Sequence, residues 1–296
     1  MHLIDGKTLA NNILADLKQV INLHQLSPGL AVILIGNDSA SRIYVRNKKK
    51  TANTIGVEFH TYLFPNTANQ EDIIQTIHFL NLDPEIHGII VQLPLPQHLN
   101  PNIIIQAIDP TKDADGFHPH NLACLLTNNQ CPKPVTAMSV MKCVNDALAN
   151  PSLADQIQNK QAPALSAAII CKSDIFYQPL SILLEKQGII PHHYTDVSDE
   201  ISAYDIVIIA LGKPQILTKN HINQNAIVID VGIHHLQSQN HTKKIVGDVN
   251  FEDIKTKAGC ITPVPGGVGP ITVAMLLQNT VNICLQMTVS NKINKT

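Results

Sequence analysis

The spacing of apolar positions switches repeatedly along the chain between a helical period and short, fully apolar runs. Leu9, Ile13, Leu14, Leu17 and Ile21 share one helical face after Ile4-Asp5-Gly6-Lys7, predicting a helix that ends near Pro28-Gly29. Leu30 to Ile35 is apolar throughout, as a buried strand requires. The turn Gly36-Asn37-Asp38 then predicts a helix from near Ser39 to Gly56, because Asp38 and Ser39 are both good N-caps. Val57 to Phe64 reads as a second strand and Thr67 to Leu82 as a helix with Ile73, Ile74, Ile77 and Leu80 inward. A third strand, Gly88 to Val91, runs into Gln92-Leu93-Pro94-Leu95-Pro96, where two prolines end it. After a polar connection over Asn150 to Ala164 the pattern resumes, with strands at Leu165 to Cys171, Ile206 to Leu211 and Ala226 to Val231, and helices at Ile175 to Gln187 and Thr272 to Leu285. Strands alternating with helices predict parallel β/α units, hence an α/β chain of two modest domains or one large one.

With 296 residues, 44% of them hydrophobic, the chain has ample material for such cores. A formal charge of −2 gives no electrostatic footprint for nucleic acid or an anionic membrane. Asp5, Lys7, Asn11, Asn12 and Asp16 break up the Met1 to Val20 segment, which therefore holds neither a signal-peptide core nor a membrane span, and a cytoplasmic protein is expected. Cys124, Cys131, Cys143, Cys171, Cys260 and Cys284 form no C-x-x-C pair, so reduced thiols are expected. His118-Pro119-His120, His192-His193 and His234-His235 lack a helical two-ligand spacing with a carboxylate, and no metal is expected.

Candidate chemistry begins at Tyr44 and Lys48, four apart on one helix face just past a strand's carboxyl end, where open α/β sheets bind ligands. An aromatic plate one turn from an amine suits a flat ligand, and a partly desolvated lysine has a lowered pKa. A solvated lysine run beside a core tyrosine is the simpler account of those residues alone. Asp109 to Phe117 is dense in carboxylates and turn formers; it is either a capped surface turn or a carboxylate that grips a ring edge bearing two N–H donors. Pro263-Val-Pro-Gly-Gly-Val-Gly-Pro270 lets a ligand sit against bare backbone, although a tight interdomain turn needs similar residues.

Together these segments resemble, over essentially the whole chain, the bifunctional methylenetetrahydrofolate dehydrogenase/methenyltetrahydrofolate cyclohydrolase family. The matching motifs are Ile4-Asp-Gly-Lys7, Ser41-x-x-Tyr44-Val-x-x-Lys48-x-Lys50, Val91-Gln-Leu-Pro-Leu-Pro96, Lys112-Asp-x-Asp-Gly-Phe117, Gly212-Lys-Pro214, Val228-Ile-Asp-Val-Gly-Ile233, Val246-Gly-Asp-Val249 and the Pro263 to Pro270 loop. The resemblance implies a folate-binding catalytic domain (1–138 and 270–296) and a Rossmann-like NADP-binding domain (139–269) facing it across a cleft, in a homodimer. It implies that Tyr44 stacks on the folate ring system, that Asp115 holds the pterin edge, and that Lys48, tuned by Gln92, serves the one-carbon chemistry. Pro265, Gly266 and Gly267 would contact substrate; Cys171, Lys172, Ser173 and Ile233 would contact the cofactor.

Departures from the family pattern cluster on the nucleotide side. The family's Gly-Arg-Ser-x-x-Val-Gly-x-Pro turn has lost both glycines, to Cys171 and Tyr177, while Lys172 keeps the arginine's positive charge and Ser173 and Pro179 remain. The family's longer segment after Gly188, with its His-Ser-x-Thr-like element, is shortened, Pro191-His-His-Tyr-Thr195 running into Tyr204-Asp205 with several residues missing. Its Pro-Cys-Thr-Pro-x-Gly stretch has become Pro134-Val-Thr-Ala-Met-Ser139. Three readings follow: a bifunctional enzyme whose turn tolerates the changes, a cyclohydrolase with weak or absent NADP binding, and a non-catalytic folate-binding protein. The last leaves the joint retention of Lys48, Gln92 and Asp115 without a reason. Hydride transfer needs the nicotinamide at reacting distance and water addition does not, so the turn bears on the dehydrogenase alone.

Overall fold

The computed structural model describes residues 1–127, 131–151, 164–237 and 243–293. Two compact units emerge, one of Met1–Ala10 with Thr136–Thr272, the other of Asn11–Val135 with Val273–Thr296. The second of these carries a three-stranded parallel sheet of β2 (Gly29–Ile35), β3 (Glu58–Phe64) and β4 (Gly88–Val91), in the order β3-β2-β4. Central β2 is buried at every position, which is why its sequence shows no alternation. Helix α1 (Gly6–His24) precedes β2, and α2 (Ser39–Ile55) and α3 (Gln70–Leu82) fill the crossovers. Ile73, Ile77 and Leu80 pack with Ala31, Ile33 and Ile89 in one core.

Local chemistry sets these boundaries. Asp38 accepts the Ser41 amide at 2.7 Å to start α2, and Gly56, at φ 89°, ends it with its N–H on the Ala52 carbonyl. Asn69 likewise starts α3, three residues later than the apolar pattern suggests. Further along, α4 (Pro101–Gln106), α5 (Pro119–Thr127) and α6 (Val135–Leu148) follow β4.

The other unit holds a six-stranded sheet, ordered β1-β11-β8-β7-β5-β6, from β1 (His2–Leu3), β5 (Ser166–Cys171), β6 (Ile190–Tyr194), β7 (Ile206–Ala210), β8 (Ile227–Asp230) and β11 (Cys260–Ile261). All its pairings are parallel. Strand order reverses between β5 and β7, the switch point at which doubly wound sheets place a nucleotide. Helix α7 (Asp174–Glu185) follows β5, α8 (Phe251–Ile254) precedes β11, and β9 (His234–Gln237) and β10 (Lys243–Val246) pair antiparallel. Helix α9 (Val268–Ile293) closes the described chain; it is long and apolar enough to cross a membrane, yet Ile271, Leu276, Leu277, Val281 and Cys284 are buried, as in a core helix.

Two differences from the sequence reading stand out. The first ten residues, expected with 11–138, lie with the six-stranded sheet because His2 and Leu3 pair with Cys260 and Ile261. The thiols are not all reduced: Cys124 and Cys131 form a disulfide, their Cα atoms 6.3 Å apart, within bridging reach across a spacing that is not C-x-x-C. Cys143, Cys171, Cys260 and Cys284 are free, as expected, and all four are buried. The polar connection read over 150–164 lies, apart from its ends, outside the described residues.

Candidate active site

Lys48 is set apart from its neighbours by the pitch of α2. Arg46, Lys49 and Lys50 are exposed, whereas Lys48 and Tyr44 are half-buried on one face. Lys48 Nζ donates to Gln92 Oε1 at 3.0 Å. Gln92 is in turn fixed from both sides: its backbone N–H donates to the Ile33 carbonyl at 2.9 Å, and its Nε2 donates to the Leu93 carbonyl at 2.7 Å. The Leu93-Pro94 peptide is cis. Thus the end of the sheet holds the amide that holds the amine. Burial lowers the pKa of Lys48, an effect opposed by the charge of Asp115. Burial raises Tyr44, with Asp38 adding to it.

Asp115 lies in a loop pinned to β4. Ile89 donates to the Lys112 carbonyl at 2.7 Å and Ala114 to the Ile89 carbonyl at 3.2 Å, adding a short parallel bridge. Buried Asp113 accepts from the amides of Gly116 and His118 and from Asn121 Nδ2, at 3.0, 2.7 and 3.1 Å. Lys112 is also spent on structure, its Nζ donating to the carbonyls of Leu80 and Asp83 at the end of α3. Asn279 Nδ2, on α9, donates to the carbonyls of Ala114 and Lys133 at 2.8 and 2.9 Å, clasping the loop's two arms. Of the two motif aspartates, Asp113 builds the loop and Asp115 is left to act. Its carboxyl is pushed up to about 6 by burial, against the pull of Lys48 and with a push from Asp113.

In the other unit a carboxylate lattice organises the strand ends. Asp230 accepts from the amides of Gly232, Asp248 and Val249 at 3.0, 3.0 and 2.9 Å. Burial pushes its carboxyl up to about 6. Asp248 takes the Leu211 and Gly212 amides at 2.6 and 3.0 Å and His234 Nε2 at 2.6 Å. A Cβ on Gly247 would overlap Asp230 Oδ2, and one on Gly232 would crowd Asp248, which explains both glycines. The Asp230, Asp248 and His234 triad is absent from the sequence reading, though two of its members stand inside quoted motifs.

The glycine-free turn after β5 packs against β6. His193 Nε2 lies 3.0 Å from the Cys171 carbonyl oxygen and 3.7 Å from Cys171 Sγ, and the Tyr177 ring stacks on His193 with centroids 4.1 Å apart. Lys172 and Ser173 remain exposed, and Ser173 makes no side-chain cap at the N-terminus of α7. A cationic side chain before an uncapped helix start suits a cofactor's phosphate. Lys213 pairs with Asp196 at 2.7 Å. Ile233 is exposed, and a Cβ on Gly269 would meet its Cδ1 at 3.8 Å. Pro265 is exposed while Gly266 and Gly267 are buried; a Cβ on Gly6 would overlap the Gly267 carbonyl oxygen, so close backbone packing alone accounts for that pair. Tyr44, Lys48, Gln92 and Asp115 belong to one unit, and Pro265 to Gly267 with the turn at Cys171 to the other.

A parallel α/β unit with a tuned lysine at its strand ends, joined to a doubly wound unit whose strand order reverses between β5 and β7, has the build of a two-domain enzyme of the nucleotide-dependent kind. Residues 4–115 match the family described as tetrahydrofolate dehydrogenase/cyclohydrolase, catalytic domain, and residues 134–288 match its NAD(P)-binding domain. The chain is 43% identical over 292 residues to a bifunctional protein FolD of Rickettsia typhi, covering 95% of this chain and 96% of that one. It is 40% identical over 285 residues to the FolD protein of Acetivibrio thermocellus, covering 94% and 95%. A crystal structure of FolD from Campylobacter jejuni superposes with a TM-score of 0.85 at 36% identity, covering 97% and 99%. The Trypanosoma brucei enzyme, solved with NADP cofactor and inhibitor, gives 0.84 at 31% identity, covering 96% and 97%. The chain belongs to the tetrahydrofolate dehydrogenase/cyclohydrolase family.

Proposed function

We propose that this chain oxidises 5,10-methylene-tetrahydrofolate to the 5,10-methenyl cation and hydrolyses that cation to 10-formyl-tetrahydrofolate, with Lys48 as the proton-handling group. The observation that carries the reading is the Lys48–Gln92 hydrogen bond, which holds an amine of lowered pKa at the carboxyl ends of β2 and β4. A neutral Lys48 takes the proton of the water that adds to the methenyl carbon, and a nearby substrate cation favours that neutral form. The Tyr44 ring offers its face to the folate ring system. Asp115, ionised when it accepts two parallel N–H donors, holds the pterin edge. Pro265, Gly266 and Gly267 are assigned to substrate by their motif.

NADP, when bound, supplies the hydride acceptor. Cys171, Lys172, Ser173 and Ile233 would hold it, with the Lys172 charge suited to a 2′-phosphate. The stacked Tyr177 and His193 rings favour a second reading, cyclohydrolase without effective dehydrogenase, because they occupy the face of the turn where the family keeps a glycine. Calorimetry of NADP with and without a folate analogue separates the two. Micromolar binding supports the bifunctional reading; none at millimolar NADP, with methenyl-tetrahydrofolate still hydrolysed, supports the second. Loss of hydrolysis as well would overturn both. That nucleic acid and membrane are not partners accords with the formal charge of −2 and the buried faces of α9; a cytoplasmic homodimer acting on a small folate is what the family resemblance implies.

A further inference from the structure

Helix α5 carries His120 and Cys124 four residues apart, one above the other on a single face, and Cys131 returns to meet them. A ligand atom from each of the three lies within 4.8 Å of those of the other two. We propose that His120, Cys124 and Cys131 form a zinc site when the Cys124–Cys131 disulfide is reduced, so that one pair of sulfurs alternates between a disulfide and a metal clip. Two thiolates and an imidazole are the donor set that borderline-soft Zn²⁺ prefers, and three protein ligands leave its fourth position to water. The site is independent of the folate reading.

The chemistry balances. A dithiol reductant delivers two electrons and two protons: the Cys124 Sγ–Cys131 Sγ bond breaks, both sulfurs become thiols, and the reductant closes to its own disulfide. Zn²⁺ then binds both sulfurs as thiolates, releasing two protons, and accepts a lone pair from a His120 ring nitrogen. In either state α5 is tied to the segment that follows Cys131. That segment matters to the loop below it: the Val135 amide donates to the Asp115 carbonyl at 3.1 Å, and a Cβ on Gly116 would overlap the Lys133 backbone. The clip therefore closes the two arms that present Asp115, in reducing and oxidising conditions alike.

The test uses the full chain, reduced with a phosphine, freed of reductant without oxygen and titrated with Co²⁺. One equivalent should give thiolate-to-cobalt charge transfer and tetrahedral d–d bands that Zn²⁺ abolishes. Chain left in the disulfide form should give neither. Cys124→Ser with Cys131→Ser should remove the bands, and His120→Ala should weaken Co²⁺ affinity at least about tenfold. Bands that survive the double serine variant, or an affinity unchanged in His120→Ala, would overturn the three-donor site. A measurement on the unaltered chain guards against variants that misfold: Zn²⁺ should protect Cys124 and Cys131, and no other cysteine, from alkylation. Equal labelling with and without Zn²⁺ refutes the proposal.

Discussion

Lys48 Nζ and Gln92 Oε1 meet at 3.0 Å across a separation of 44 residues, the one joining a helix to a strand end. Lys48→Met should lower methenyl-tetrahydrofolate hydrolysis by about 10²–10⁴, the span of a lost general base. Gln92→Ala, which leaves the amine in place but unheld, should cost roughly tenfold in kcat with little change in substrate KM. Stopped-flow loss of the methenyl chromophore measures both, and wild-type kcat in Lys48→Met removes Lys48 from the mechanism.

Asp115 gives a prediction with a defined sign. Its carboxyl sits at about 6 in the fold against 3.8 for the ordinary group, so the folded state favours the protonated form. Stability from this group is full below about 3.8, falls as pH rises, and levels off above about 6. Asp115→Asn should therefore match wild type in melting temperature at pH 3.5 and gain on it up to pH 6, by about 1 kcal/mol after allowance for solvent and for Lys48. The same variant should bind folate poorly. Equal pH curves for the two proteins would mean the carboxyl is not held uncharged.

Tyr177 is the removable part of the altered turn. Tyr177→Ala keeps α7 helical and frees the face of His193, so NADP binding should tighten about tenfold, near 1.4 kcal/mol. Cys171→Gly added to it should tighten binding further. An NADP affinity unchanged in both proteins would show that the turn is no obstacle.

Gly247→Ala tests the carboxylate lattice. Its new methyl would enter the space of Asp230 Oδ2, which accepts from the Val249 amide and belongs to a carboxylate that takes three amides in all, and should destabilise the chain by about 2–4 kcal/mol in urea unfolding. A loss under about 0.5 kcal/mol would show that the lattice yields easily.

What the sequence disclosed and what it hid divide along a physical line. The Tyr44–Lys48 face and the caps of α2 are local, so periodicity and capping chemistry are enough to place them. Gln92 is legible because prolines mark the end of its strand. The clasp of Asn279 on Ala114 and Lys133 joins segments far apart in the chain, and its only trace was a polar residue in an apolar helix. Asp230, Asp248 and His234 gave no joint signal for the same reason, although each motif was visible by itself. The stack of Tyr177 on His193 depends on β6 lying beside β5, which no window of residues contains. The Cys124–Cys131 link has no signature in the sequence because its separation of 7 matches no short cysteine motif.

The pairing of His2 and Leu3 with Cys260 and Ile261 sets a timetable for the nascent chain. The strand that forms one edge of the six-stranded sheet leaves the ribosome well before its partner, which emerges on the order of tens of seconds later. Until then His2 and Leu3 have no strand to pair with, whereas β11 finds β8 already made. The Asn11–Val135 segment, by contrast, holds a whole three-stranded sheet that can assemble while the rest is still being made. Birth order and folding order are thus opposed at this edge of the sheet: the strand made earlier comes to rest only when its later partner arrives.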